Sequence, residues 1–119
     1  MAIDIEVSKD LVVVNLTGKD RFFALKSRLR IPAEKISSVE VLPRREVPPA
    51  RGAVIRLPGT YIPGVVQHGS YGLGANREFW AVYRQEEVVV ISVDDWDYRR
   101  LVLGTDNPAI DAIRLSQFV

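Results

Sequence analysis

Cysteine is absent from the sequence and histidine occurs once, as His68, and these two shortages restrict the chemistry of the chain. Without thiols there can be no disulfide bond, no cysteine nucleophile and no thiolate metal site. One imidazole is also too few for the usual zinc sites, which draw on several histidine or cysteine ligands. We therefore predict neither a metal ion nor a cofactor.

Long apolar runs are lacking as well. No segment approaches the about 18 continuous apolar residues of a membrane-spanning helix. Residues 57–76 carry no charge, but they hold five glycines and two prolines, which a helix would not tolerate. The first ten residues contain acids where a secretory signal would have a basic end followed by an apolar run. These features predict a cytoplasmic protein.

A large excess of charge of either sign is also missing, since 16 basic and 15 acidic residues give a net charge of +1. This balance argues against a nucleic acid as the partner. The bases are nevertheless unevenly spread, with nine bases and three acids within residues 21–56. Either they form one basic face, or the asymmetry disappears when strands from both halves of the chain lie side by side in one sheet.

The residues that are present predict one mainly β domain covering residues 1–119. Runs rich in β-branched and aromatic residues alternate with turn residues, as in antiparallel β proteins. The predicted strands are 3–7, 11–16, 29–32, 36–42, 65–71, 77–84, 88–93 and 98–103. Asn107 and Pro108 mark the cap and first residue of a C-terminal helix, on which Ile110 and Ile113 share a face. We predict a β-barrel of bent antiparallel sheets, in the β or α+β class, closed by this helix.

The uncharged stretch at residues 57–76 contains two proline–glycine pairs, at 58–59 and 63–64. Each pair suits a type II turn, because proline presets the first central torsion and glycine permits the second. Trp80 and Tyr83 in the following strand differ by three positions and therefore point to opposite faces. We predict that the uncharged stretch packs back over one of these aromatic side chains.

Four phrases of the sequence are similar to those of bacterial proteins with a pleckstrin-homology-like (PH-like) domain. The phrases are LRIPAEKISSVEV, PGTYIPG, EFWAVY and DYRRLVLGTDNPAIDAI, and the similarity extends over roughly residues 10–115. The resemblance implies two packed, strongly bent antiparallel sheets capped by a helix. It implies no catalytic residue, and PH-like folds in general bind phosphoinositides, peptides or proteins.

A cluster of basic residues is the main candidate for a ligand-binding site. If residues 26–31 form one strand, its three basic residues lie on the face opposite Leu29 and Ile31. The predicted ligand-binding residues are these three and two arginines of the next loop: Lys26, Arg28, Arg30, Arg44 and Arg45. Arginines clustered in this way suit phosphate or carboxylate groups, which they bind by bidentate charge-assisted bonds. The alternative is a solvated strand face followed by a polar loop, to which Arg51 also belongs.

Three further motifs lack the residues or the spacing that their possible functions require. The glycine run at 69–74 lacks the lysine that ends a Walker loop, and a strand follows it where a dinucleotide fingerprint needs a helix. His68 and Ser70 are not set in the Gly-x-Ser-x-Gly turn that exposes a serine nucleophile. The acidic group at 94–97 is too short for a calcium loop and predicts a turn. No catalytic residue and no metal ligand are expected.

These observations together predict a non-enzymatic PH-like binding module. Its expected partner is a protein, and it is expected to self-associate, because exposed edge strands can pair with a second copy. The alternative function is binding of an anionic ligand, such as a phospholipid headgroup, through the basic strand face.

Overall fold

The computed structural model describes residues 3–16, 28–47, 56–62, 66–71, 77–83 and 85–117. This part of the chain forms nine β-strands, two 3-10 turns and one α-helix. The strands are β1 (Ile3–Val7), β2 (Leu11–Leu16), β3 (Arg28–Pro32), β4 (Ile36–Pro43), β5 (Arg56–Ile62), β6 (Val66–Tyr71), β7 (Glu78–Tyr83), β8 (Glu87–Val93) and β9 (Arg100–Leu103). The 3-10 turns are Ala33–Lys35 and Arg44–Glu46, and the helix α1 is Pro108–Ser116.

The strands form two sheets of unequal size. The small sheet has the order β1-β2-β3, and the large sheet has the order β4-β8-β9-β7-β6-β5. The predicted mainly β class with one C-terminal helix is confirmed. Two details differ: the described strands do not close into a barrel, and β7 and β9 run parallel although every other pair is antiparallel. The difference arises because β9 folds back from β8 and enters the sheet between β8 and β7.

The main core lies between the two sheets. Alternate residues of each strand face inward, because successive side chains of a strand point to opposite faces. The small sheet contributes Ile5, Val12, Val14, Leu16, Leu29 and Ile31, and the large sheet contributes Ile36, Phe79, Ala81, Val89, Ile91, Val93, Leu101 and Leu103. Phe79 and Trp96 both meet the ring of Tyr98 edge-on, with ring centroids 5.7 Å apart in each pair. This layer positions both sheets and the helix that packs against them.

A second apolar cluster lies on the opposite face of the large sheet. It consists of Val47, Trp80, Val82, Val88, Val90 and Val102, with Leu42 packed against it, and we call it the outer cluster. β8 therefore buries side chains on both faces, which explains its continuous valine run. Trp80 is 2% exposed and belongs to this cluster, whereas the side chain of Tyr83 lies outside the described residues, so the prediction that the two rings face opposite sides stays a prediction.

A sharp corner carries the chain from the small sheet to the large one. Pro32 ends β3, and the 3-10 turn Ala33–Lys35 leads directly into β4. The turn is held from both sides, because Ala33 N–H donates to the carbonyl of Asp10 (3.1 Å) and Asp94 N–H donates to the carbonyl of Lys35 (2.8 Å). One continuous segment thus joins the edge strand of each sheet.

The uncharged middle stretch forms part of the large sheet instead of a covering loop. The turn predicted at 58–59 is wrong, since these residues lie within β5, where the pairing with β6 shifts register between Arg56 and Gly59. β5 is an edge strand, and an edge strand tolerates both a proline and a bulge. The pair at 63–64 lies outside the described residues. In the β6–β7 pairing Gly69 stands opposite Trp80, so a residue without a side chain neighbours the bulkiest one.

The C-terminal helix begins where the sequence predicts. Pro108 is its first residue, and its fixed φ suits that position. Asn107 occupies the capping position, as predicted, although its side chain makes no capping hydrogen bond. The helix packs against β1, β4 and β8 through Leu115, which is fully buried.

Candidate functional site

The predicted basic strand face exists on β3. Arg28 and Arg30 are exposed, while Leu29 and Ile31 between and after them are 5% and 0% exposed. The alternation follows from the two-residue period of a strand whose other face covers the core. Lys26, the third predicted basic residue of this segment, lies outside the described residues.

Acidic residues share the outer face of the small sheet with these arginines. Arg28 Nε donates to Asn15 Oδ1 (3.0 Å), and Asn15 Nδ2 donates to Glu6 Oε2 (2.8 Å), so that polar contacts cross the sheet from β3 to β1. Asp4 stands opposite Asn15 in the pairing of β1 with β2. Strands are spaced by about 4.8 Å, so the acids lie two strands from the arginines. The face is basic at the β3 edge and acidic at the β1 edge.

Arg44 and Arg45 lie in the 3-10 turn that follows β4, at the end of the large sheet. Arg44 N–H donates to the carbonyl of Glu86 (2.7 Å), which attaches the turn to the start of β8. No hydrogen bond or ion pair among the described residues joins either arginine to β3. The predicted site is therefore divided between the two sheets, and Arg51 lies outside the described residues.

A charged network that the sequence analysis missed lies where β7 and β9 run parallel. Glu78 is 0% exposed, although it is a carboxylate. Trp80 Nε1 donates to Glu78 Oε1 (3.2 Å), and Arg100 donates to the same oxygen from Nε (2.8 Å) and Nη2 (2.6 Å). Arg99 Nη2 donates to Glu78 Oε2. Both carboxylate oxygens are thus paired, as a buried charge requires.

Two cation–π contacts extend this network. The Arg100 guanidinium lies 5.6 Å from the centroid of the Trp80 ring, and the Arg77 guanidinium lies 4.7 Å from that of Tyr98. Arg77 Nη2 also donates to the Tyr98 hydroxyl (3.4 Å). A glutamate in a strand is ordinarily read as solvent-facing, and no local signal shows that β9 lies beside β7. The contacts of Glu78 with Arg99 and Arg100 hold β7 against β9 and the residue before it.

His68 and Ser70 do not lie in a nucleophile elbow. Both lie within β6, which pairs with β5 on one side and β7 on the other, and they stand opposite Ala81 and Phe79 in the latter pairing. A serine nucleophile of the elbow type needs a sharp strand-to-helix turn, whereas Ser70 is followed by Tyr71 of the same strand.

The acidic group at 94–97 forms the predicted turn. Asp94, Asp95 and Asp97 are exposed, and Asp95 has a φ of 50°, in the left-handed region that aspartate tolerates. Lys35 Nζ donates to the Asp95 carbonyl (2.8 Å) and holds the turn against the β3–β4 corner. Among the described residues, no three histidine, aspartate or glutamate side chains converge as metal ligands. Of the glycine run, Gly69 lies in β6 and residues 72–76 lie outside the described residues.

A shallow cleft opens between the β1–β2 turn and the β3–β4 corner. Its volume is about 340 Å³, and it is lined by Lys9, Asp10, Ala33 and Glu34. The three charged residues are exposed. The lining residues that the structure describes include none of the predicted ligand-binding residues and no buried polar group that would orient a ligand.

The helix α1 presents two isoleucines to solvent. Ile110 is 58% and Ile113 is 73% exposed, and we call the surface they form the α1 outer face. The other side of the helix is firmly held, since Leu115 is buried and Arg114 Nη2 donates to the carbonyl of Ile5 (2.7 Å). Sequence analysis placed the two isoleucines on one face but missed that this face points away from the core.

In the part of the chain that the structure describes, no helix has the length and apolar character needed to cross a bilayer. Comparison of the chain with models of protein families, with curated proteins and with solved structures gave no match.

Proposed function

We propose that this protein is a non-enzymatic, PH-like interaction module of the bacterial cytoplasm, and that its partner is a protein. The α1 outer face is the observation that supports this proposal. A paired-sheet scaffold holds the helix rigidly, and the helix carries its two most hydrophobic exposed side chains side by side.

The exposure of Ile110 and Ile113 has an energetic meaning. Fully burying an isoleucine side chain stabilises a protein or complex by about 1.5–3 kcal/mol, and here neither residue has gained most of that stabilisation. Leu115, two positions later, is fully buried and has therefore gained the whole of the corresponding stabilisation. A partner that covers the α1 outer face would recover the remainder, and adjacent exposed apolar residues commonly mark such contacts.

The test is capture of partners from a bacterial lysate by the tagged wild-type protein and by the double variant Ile110→Asn with Ile113→Asn. We expect the wild type to retain a protein that the variant loses, with little change between low and high salt, because the contact is apolar. Ser116→Asn, a change on the same helix outside the α1 outer face, is the matched control and should capture normally. Equal capture by all three forms would refute the proposal.

Anionic-ligand binding is the second candidate function, and it is supported by the exposed pair Arg28 and Arg30 on an edge strand. Co-sedimentation with vesicles of anionic and of neutral lipid tests it. Salt-sensitive binding to anionic vesicles should disappear in Arg28→Glu with Arg30→Glu. It should persist in Lys9→Glu, which changes the charge of an exposed turn elsewhere on the molecule. Arg45→Glu would show whether the separate pair in the 3-10 turn contributes.

A further inference from the structure

The free edge of β1 is covered by a side chain of the C-terminal helix. In the small sheet β1 pairs with β2 alone, so its other side has no neighbouring strand among those that the structure describes. Arg114 of α1 donates from Nη2 to the carbonyl of Ile5 in the middle of β1 (2.7 Å). We propose that Arg114 covers the β1 edge and prevents it from pairing with a strand of another chain.

The hydrogen bonds of β1 show that Ile5 faces this edge. In an antiparallel pair, alternate residues exchange hydrogen bonds with the partner strand, and the residues between them direct both backbone groups away from it. Ser8 N–H donates to the carbonyl of Leu11 (3.0 Å), which places the even-numbered residues of β1 in the bonded set. Ile3, Ile5 and Val7 therefore present their N–H and C=O groups at the free edge.

The backbone of β1 is otherwise well suited to accept another strand. It pairs with β2 in unbroken register from Ile3 to Val7 and contains no proline. Two other edge strands carry obstacles, since Pro58 and a register shift interrupt β5 and Pro32 ends β3. Natural proteins interrupt, charge or cover their edge strands, because unpaired edges are templates for aggregation. β1 has neither a proline nor a bulge, so we assign its protection to α1.

The Arg114 contact is placed to resist an incoming strand. Neighbouring strands lie about 4.8 Å apart, so a strand added to β1 would need the position that the guanidinium occupies. A hydrogen bond from an ionised donor is stronger than one from a backbone N–H, so the exchange is unfavourable. Arg114 is itself held in place, because its Nη1 lies 3.5 Å from Asp111 Oδ1 and the next residue, Leu115, is fully buried.

Removal of the Arg114 side chain tests the proposal. Sedimentation velocity over a range of concentrations compares the wild type, Arg114→Ala and the control Arg45→Ala, which removes an exposed arginine from the 3-10 turn after β4. We expect Arg114→Ala to associate at concentrations several-fold lower than the other two proteins, which should behave alike. Circular dichroism checks that each variant is folded. Equal association by all three folded proteins would overturn the proposal.

A second substitution tests whether β1 is the surface that associates. Ile3→Pro replaces an outward N–H by a proline ring, and an edge strand tolerates this because no hydrogen bond of the ladder is lost. Combined with Arg114→Ala, it should return association to the wild-type level. Association that persists in the double variant would come from another surface and would refute the proposal.

Arg114→Gln provides the same test if the alanine variant does not fold. Glutamine keeps most of the side-chain stem and favours a helix, but it carries no charge. This variant should also associate at concentrations several-fold lower than the wild type, and Ile3→Pro should again suppress the effect. Wild-type behaviour of folded Arg114→Gln would count against a role for the arginine at the β1 edge.

Discussion

At the scale of single residues, the burial of the Glu78 side chain depends on the groups that pair with its charge. Its carboxylate is removed from water and is held by two arginines and an indole N–H. The cost of removing a charge from water is large, and it is offset only when every partner is in place. The parallel register supplies these partners by setting Glu78 beside Arg100.

Replacing Glu78 by glutamine should destabilise the fold by about 3 kcal/mol, because it leaves two arginines without their counter-charge. Thermal unfolding followed by circular dichroism would measure this loss, and a drop of roughly 10 °C is expected for a domain of this size. Glu40→Gln is the matched control, since Glu40 is an exposed acid in β4 of the same sheet. The role given to the network would be wrong if both variants unfolded alike.

At the scale of elements, the helix α1 shows what sequence periodicity can and cannot reveal. Its start follows from Pro108, and Ile110 and Ile113 do share a face. The buried residue is nevertheless Leu115, because the direction of the helix is set by its packing on β1, β4 and β8. Periodicity identifies faces, but only the position of the sheets decides which face is covered.

This orientation predicts an asymmetry between two alanine substitutions in α1. Leu115→Ala should cost about 2–5 kcal/mol of unfolding free energy, because it leaves a cavity in the main core. Ile113→Ala should change it by no more than about 0.5 kcal/mol, as for other exposed positions. Urea unfolding of both variants gives the comparison. A loss at Ile113 as large as that at Leu115 would contradict the helix orientation described above.

For the strands and the basic site as well, the local sequence pattern predicts the elements but not how they are placed relative to one another. The local pattern of residues was enough to predict every described strand except β5 within one or two residues at each end. It could not show that 58–59 lies in an edge strand, because that depends on the pairing of this segment with β6. Nor could it show that Arg28 and Arg30 belong to one sheet and Arg44 and Arg45 to the other, since that depends on the corner at Ala33–Lys35.

At the scale of the whole molecule, the large sheet connects two apolar clusters. Phe79 faces the main core and Trp80, the next residue, faces the outer cluster. The radius of gyration of 12.9 Å is close to the about 13.5 Å expected of one compact domain of this length. Both clusters should therefore unfold together.

Single-tryptophan variants would test this cooperativity. Trp96→Phe leaves Trp80 to report on the outer cluster, and Trp80→Phe leaves Trp96, which packs against the main core. In each variant the fluorescence and far-UV circular dichroism transitions should have the same midpoint, as expected of two-state unfolding. An earlier fluorescence transition in the variant that retains Trp80 would show that the outer cluster melts separately.

The place of β9 in the large sheet has a consequence for biosynthesis. β4 and β8 stand on one side of it, and β7, β6 and β5 stand on the other. A nascent chain that ends before Arg100 therefore has two half-sheets and no strand to join them. The large sheet can be completed only after Arg100–Leu103 has left the ribosome, so termination before Arg100 should leave two exposed sheet borders prone to aggregation.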